Sequence, residues 1–382
     1  MVALAVIFMV GLAYLSCRVA GLSIVQRLAK GHRGRARLAC AAVLLAVFAL
    51  LWATLNLMNA LIIFVFLMLF WLICDGVALL VSKVRRPKTE PAATAGNVEA
   101  GHPAMTRRDF AGAAALMLCA GYFGSGWVAE HHVRTTRYAF TTGKFAGKVR
   151  IVQITDAHLG ATYHADRFAE YMDGIAALKP DIMVVTGDFV DDDTSREDML
   201  GACAALARTR PAHGVFFVYG NHDKGYFPEE RRGWTNAEMR EALEAAGVTV
   251  LEDEWVRLAC GVTVAGRRDL SLSRPDDPRK SAAELLADAD AGTYLLMLDH
   301  QPADFEGEAA SGADLVLCGH THGGQFIPIN HAGEWLGIND LTYGHECRGA
   351  TDFIVSSGIS NWTFRFKTGC FSEIVVIDVT GQ

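Results

Sequence analysis

From the amino end, the chain opens with long apolar runs and only later settles into short ones that end in polar clusters. Residues 2–15 are uncharged and apolar, extendable to about residue 24 if Arg18 lies near an interface, and they predict a membrane span. Residues 38–81 are almost continuously apolar. That is about twice the roughly 20 residues one helix needs to cross the hydrocarbon, so they predict a helical hairpin. Its turn is best placed near Asn56 and Asn59, whose amides suit the far surface better than lipid. Asp75 is either a buried functional group or, as we prefer, a residue near the interface. Arg27, Lys30, Arg33, Arg35 and Arg37 follow the first run, and Lys83, Arg85, Arg86 and Lys88 follow the hairpin. Basic flanks of this kind mark cytoplasmic loops.

The expected organisation is a membrane region with about three spans over 1–82, a linker rich in Pro, Ala, Gly and Thr over 83–105, a further apolar segment over 106–128, and a connector over 129–148 leading to a domain over 149–382. The segment Thr106-Arg107-Arg108-Asp109-Phe110 with the apolar run 111–128 resembles a twin-arginine export signal; the alternative is an ordinary fourth span with a basic flank. Either way the following domain is exported, which predicts a multi-pass protein of the cell membrane with its globular part on the extracytoplasmic side.

In the globular part, apolar runs recur and each leads to groups suited to metal or phosphate chemistry. Residues 149–155 lead to Asp156-Ala157-His158, 182–186 to Gly187-Asp188, and 215–219 to Gly220-Asn221-His222-Asp223. Residues 294–298 lead to His300, and 315–318 to Gly319-His320-Thr321-His322. Helical spacing appears over 165–178 and over 236–246, the latter stopped by Gly247. Strand, helix, strand predicts an α/β fold, in which ligands gather at the carboxyl ends of buried parallel strands. Later strand-like segments, 248–251, 256–258, 262–265, 353–355 and 374–379, lack intervening helices and predict a second sheet packed on the first. The expected fold class is therefore α/β, a two-sheet β-sandwich flanked by helices, after the amino-terminal transmembrane helices.

Composition narrows the function. The hydrophobic share of 51% is concentrated in the first 130 residues, which favours spans over an enlarged core. A net charge of −7 argues against nucleic acid as a partner, because counterion displacement from phosphates needs a basic excess. The nine cysteines contain no C-x-x-C pair, so single buried thiols are expected rather than a zinc ribbon or a disulfide framework.

Taken in order, D-x-H, G-D, G-N-H-D, a separate His and G-H-T-H closely resemble the calcineurin-like metallophosphoesterase family, from Val149 to the carboxyl terminus. The trailing Gly323-Gly324-Gln325 resembles the membrane-anchored, export-signal-bearing bacterial subgroup. On extended backbone, Asp156 and His158 would point to one side, as would His320 and His322, while Gly187, Gly220 and Gly319 let the backbone turn beside them. The resemblance implies two divalent cations: one held by Asp156, His158 and His322, the other by Asn221, His300 and His320, with Asp188 bridging. Such mixed oxygen and nitrogen ligands suit Mn, Fe or Zn. It further implies a membrane-tethered hydrolase that cleaves a phosphodiester or phosphomonoester, possible lipid-linked substrates included, by metal-activated hydroxide.

His222 is the candidate general acid, with Asp223 either orienting it or capping a turn. Arg267 and Arg268 stand where relatives place substrate-side groups. The stretch Trp362-Thr363-Phe364-Arg365-Phe366 reads as core packing in preference to a rim of the site, and Asp191-Asp192-Asp193 as a solvated loop. Two rival functions remain: pyrophosphate cleavage in a nucleotide-linked lipid precursor, which needs a cytoplasmic domain, and a non-catalytic binding protein on the same fold.

Overall fold

The computed structural model describes residues 2–84 and 105–382, so nearly all of the linker expected over 83–105 lies outside the described residues. The chain divides into two compact units, Met1–Ser125 and Gly126–Gln382.

In the first unit the apolar runs are helices: α1 (Val2–Ala20), α2 (Ser23–Leu28), α3 (Arg33–Leu55), α4 (Leu57–Val84) and α5 (Arg107–His131), the last continuing into the second unit. Among the described residues, three stretches are long and apolar enough to cross a membrane: Arg33–Leu55, Leu57–Lys83 and Arg107–His131. The apolar helix Val6–Ala20 is shorter. The hairpin turn falls at Asn56, whose φ of 121° breaks the helix and whose Oδ1 accepts the Asn59 N–H at 2.9 Å. Asp75 pairs with Arg18 and accepts from the Tyr14 hydroxyl at 2.8 Å, so the acid carried by this apolar helix has a charged partner. Asp109 of the paired-arginine segment accepts from the Ser23 N–H at 2.7 Å and the Thr106 N–H at 3.1 Å, binding the start of α5 to α2.

The second unit contains β1 (Arg134–Thr142), β2 (Gly147–Ile154), β3 (Ile182–Thr186), β4 (Val215–Val218), β5 (Val248–Val250), β6 (Glu254–Arg257), β7 (Val262–Gly266), β8 (Tyr294–Leu298), β9 (Leu315–Cys318), β10 (Gly344–Arg348), β11 (Thr351–Val355) and β12 (Glu373–Gly381). Between them run α6 (Ala165–Ala177), α7 (Arg196–Leu206), α8 (Glu229–Arg232), α9 (Asn236–Ala245), α10 (Ala282–Leu286), α11 (Phe305–Ala310) and α12 (Ala332–Trp335). The first sheet has the order β1-β12-β2-β3-β4-β5 and the second β10-β11-β9-β8-β7-β6. Strands β2 to β5 are parallel, as are β7, β8, β9 and β11, while antiparallel neighbours join at β12, β6 and β10.

Alternation along each strand divides the core into layers. On β3, Ile182 and Val184 join the cluster between the sheets with Phe216, Val264, Leu296 and Leu317. Met183 and Val185 face the other way, onto Phe168 and Met172 of α6, Met199 and Cys203 of α7, and Leu243 of α9. A third cluster, including Met297, Val316, Leu285 and Phe305, covers the outer face of the second sheet with α10 and α11. The result is a pair of mixed sheets with helices on both outer faces.

Two strands depart from the expected assignment. The segments at 248–251 and 374–379 extend the first sheet as β5 and β12, not the second. Along β12, Val375, Ile377 and Val379 enter the inter-sheet core while Ile374 and Val376 enter the helix-side core. A strand apolar on both faces belongs in a sheet interior, and β12 sits between β1 and β2.

The core reaches the polar strand ends through Phe189, fully buried with ring centroids 5.4 Å from Phe168 and 5.8 Å from Phe217. Phe217→Ala should leave a cavity beside Phe189 and cost about 3–5 kcal/mol, measured as a lowered unfolding free energy of the purified chain.

Candidate metal centre

All the sequence-predicted ligand residues meet at the carboxyl ends of β2, β3, β4, β8 and β9. The local backbone is not extended there. Asp156 (φ 53°), His158 (37°), Asp188 (50°), His320 (71°) and His322 (51°) all occupy the left-handed region, uncommon for non-glycine residues and held only where the surroundings over-determine it. The Asp156 and His158 N–H groups donate to the Gly187 and Asp188 carbonyls, each at 3.0 Å, so the loops lace together beyond the strand ends. Two glycines permit the approach. A Cβ at Gly220 would lie 2.2 Å from Asp188 Oδ1, and one at Gly319 would lie 2.4 Å from Asp156 Oδ2.

Asp188 stands at the middle. Its Oδ1 accepts the His222 N–H at 2.8 Å, and its Oδ2 lies 3.2 Å from His300 Nε2 and 3.5 Å from His158 Nε2. On one side, Asp156 Oδ1 is 3.5 Å from His322 Nε2 and both Asp156 oxygens accept the His320 N–H at 3.0 Å. On the other, Asn221 Oδ1 faces His300 Nε2 at 3.1 Å and His320 Nδ1 at 2.8 Å, its amide turned by donation from Nδ2 to the Tyr226 hydroxyl at 2.6 Å.

Imidazole orientation is set from behind. His300 Nδ1 faces the Thr186 carbonyl at 2.7 Å, His158 Nδ1 faces Asp191 at 3.2 Å, and His322 Nδ1 faces the Ser360 carbonyl at 3.4 Å. In each ring this directs Nε2 at the carboxylates, the arrangement typical of a metal-ligating histidine supported by an outer oxygen.

The donor set fits cations. His158 Nε2 is buried with no hydrogen-bond partner, although it points at Asp188. Burial, reinforced by His300, lowers the His320 pKa to about 4, and burial with His158 holds His322 well below the usual range, leaving both as neutral lone-pair donors at pH 7. Burial pushes the Asp188 carboxyl up, but the His300 and His158 charges outweigh it and hold the group well below the carboxylate range. Among the described residues, three groups of close ligand atoms result: Asp156, His158 and His322; Asp188, His300 and His320; and His158, Asp191 and His222.

The last group contains a residue the sequence reading set aside. Asp191 is not part of a solvated loop: one oxygen lies 3.2 Å from His158 Nδ1 and the other 3.1 Å from His222 Nδ1. Burial raises its pKa, yet the bonds to His158 and His222 bring it well below the usual range. Its position three residues after Asp188, within the same turn, was the available signal.

Asp223 faces elsewhere. Its carboxylate accepts from the N–H groups of Gly220, Asp188, Phe189 and Val190 at 2.7 to 3.1 Å, and burial followed by the Asp188 charge pushes its pKa up to about 7. The acid therefore joins two loops rather than touching the His222 ring.

The two arginines also lie apart from the centre. Arg267 is buried, with Nη1 3.0 Å from Asp299, 3.0 Å from Asp304 and 3.1 Å from Glu308, and Arg268 pairs with Asp277 at 2.7 Å. All three acids around Arg267 meet the same nitrogen, Nη2 donates to the Lys280 carbonyl at 3.3 Å, and Nε is buried without a partner, so the guanidinium is closed off from a phosphate by its burial. Conversely, Trp362, expected to pack in the core, is 40% exposed with its ring 5.2 Å from His222, and Tyr226 flanks the same imidazole at 4.9 Å. The short Asn361–Phe366 segment turns at Thr363, φ 61°, which frees the indole for the rim.

Known proteins are similar to this chain over the same region. The profile described as calcineurin-like phosphoesterase matches residues 149–324, the span that carries every one of the close ligand groups. An uncharacterized metallophosphoesterase of Aquifex aeolicus is 32% identical over 261 residues, covering 66% of this chain and 94% of that protein. A transmembrane protein with metallophosphoesterase domain from Danio rerio is 28% identical over 47% of this chain and 42% of its own length. Among solved structures, a dimetal phosphatase from Danio rerio aligns at 12% identity and a TM-score of 0.37 over 55% of this chain and 87% of that one. Since a relative is a third identical along nearly its whole length and the family profile falls on the segment bearing the centre, the chain belongs to the calcineurin-like phosphoesterase family.

Proposed function

We propose that this chain is a membrane-tethered two-metal phosphohydrolase acting on a phosphodiester or phosphomonoester. The observation that carries the reading is Asp188 Oδ2 lying between His300 Nε2 and His158 Nε2, which belong to the two opposite ligand groups. One cation would be held by Asp156, His158 and His322, the other by Asn221, His300 and His320, with Asp188 shared. Divalent Mn, Fe or Zn bound there would polarise the phosphoryl group and lower the pKa of water.

The chain's own residues do the rest. His222 is the candidate general acid: with Nδ1 engaged by Asp191, Nε2 is the nitrogen left to give a proton to the departing oxygen. Asp191 is the positioning residue, holding the tautomer and ring angle of His222. Asp223 keeps the Asp188 and Asn221 loops together.

Anchoring rests on the apolar helices with their basic flanks, Arg27 to Arg37 and Lys83 to Lys88. Counting four spans puts the domain outside the cytoplasm. We read 106–128 as the fourth span, because Asp109 is bonded to Ser23 inside the helical unit as an ordinary packed helix start would be.

Three outcomes test the reading. Metal-stripped protein refilled with Mn should turn over a chromogenic phosphodiester or phosphomonoester, and Asp188→Asn should abolish that turnover; a folded, metal-loaded wild type inert to both esters would sink the hydrolase. Asp191→Asn should lower kcat about 10²-fold and alter the limb of the pH profile governed by the general acid, with KM nearly unchanged. Arg267→Met should leave KM unaltered and destabilise the protein by about 3–5 kcal/mol, because it leaves the buried Glu308 without its cation and Asp299 with Arg279 alone; a raised KM with normal stability would restore it as a substrate group.

A further inference from the structure

The segment after His322 arranges its side chains in the reverse of an ordinary surface loop. Ile329, Trp335, Leu336 and Ile338 are 55, 71, 73 and 60% exposed. Its acids turn inward: Glu334 accepts the Thr342 N–H at 2.5 Å and pairs with His331 at 3.1 Å, and Asp340 accepts the Phe305 N–H at 3.1 Å and pairs with Arg348 at 2.9 Å. The Gly333 carbonyl accepts the Ile338 N–H at 2.8 Å, which closes the turn and sets the projection of Trp335 and Leu336. Scattered exposed apolar side chains need no explanation, but several held out by one ordered turn mark a surface with a partner.

The bonding around this loop selects the partner. The Thr368 N–H donates to the Gln325 carbonyl at 2.7 Å and the Ile327 N–H to Thr368 Oγ1 at 3.0 Å. The adjacent Lys367 N–H donates to the Gly126 carbonyl at 3.2 Å, and the Ser372 N–H to that of Ala129 at 2.9 Å. Gly126 and Ala129 belong to the end of α5, a helix long and apolar enough to cross a membrane. The exposed loop is thus tied, one residue apart, to the place where that helix enters the unit. An indole with neighbouring Leu and Ile is the composition that settles at the boundary between headgroups and acyl chains.

An aromatic track also leads from this loop to the centre. Phe326 packs its ring on Phe364 at 5.0 Å, and Trp362, two residues earlier, stands over His222 at 5.2 Å. We propose that the loop 326–338 docks on the lipid bilayer surface and that the centre beside it acts on a phosphate ester carried by a membrane lipid. The second half rests on the hydrolase reading; the first does not.

The full chain in nanodiscs containing brominated phospholipid tests the docking. The part of the tryptophan emission that Trp335→Phe removes should be strongly quenched relative to unbrominated discs. Unquenched Trp335 overturns the proposal, and concentration-dependent burial of that emission in detergent would assign the patch to a second copy of the chain instead. The substrate half is read from Leu336→Ser/Ile338→Ser in the same discs. Turnover of a bilayer-embedded phosphate ester should fall about tenfold while that of a water-soluble chromogenic ester stays within about twofold, since only delivery from the interface is lost. Equal loss on both esters, or no loss on either, refutes it. A wild type inert to every ester would refute the hydrolase reading, with the quenching result still deciding the docking.

Discussion

Four backbone N–H groups converging on the buried carboxylate of Asp223 are the contact on which the centre depends. They come from two separate strand ends, β3 and β4, and they fix Asp188 and Phe189 relative to Gly220. Left alone, the turn after β3 would relax out of the left-handed conformation at Asp188, and the Gly187 and Asp188 carbonyls of that turn receive the Asp156 and His158 N–H groups. A carboxylate in a dry site satisfies the donors that such turns strand, and the donors in turn keep the acid tolerable there. The strain is carried by hydrogen bonds behind the ligands, so the ligand atoms themselves stay directed at one another.

Around that knot the fold is organised by which faces are apolar. The sheets meet over a core that excludes water right up to Ile182 and Val184, and helices close the outer faces through Phe168, Met199 and Phe305. Polar chemistry is therefore confined to the strand ends, where the carboxyl termini of parallel strands leave a concave opening. Charges that intrude elsewhere are neutralised locally: Arg267 by three acids, Lys367 by the Ser357 and Ser360 carbonyls and Glu130. The Lys367 bonds matter to the centre, because the Ser360 carbonyl that they hold also orients His322.

The loop after His322 shows the same logic inverted. Its acids spend their hydrogen-bonding capacity on Thr342, Phe305 and Arg348, and its apolar groups are left outside. In a chain that also exposes apolar helices of membrane-spanning length, a lipid surface gives that inversion a physical reason.

What the sequence by itself determined is what local spacing can carry: the apolar helices and their break at Asn56, the alternation of strand and helix, and the gathering of Asp156, His158, Asp188, Asn221, His300, His320 and His322 at strand ends. These follow from hydrophobic period and from residue type at turns, which are properties of neighbours along the chain. Tertiary structure decided the rest. Whether β5 and β12 joined the first sheet depended on partners more than a hundred residues away in the case of β12 and β2. Asp191, Asp223 and Arg267 are all charged residues just beyond apolar runs, and nothing local distinguishes them. One meets two imidazoles, one four backbone donors and one three acids, because the role of a charge is set by what folding brings against it.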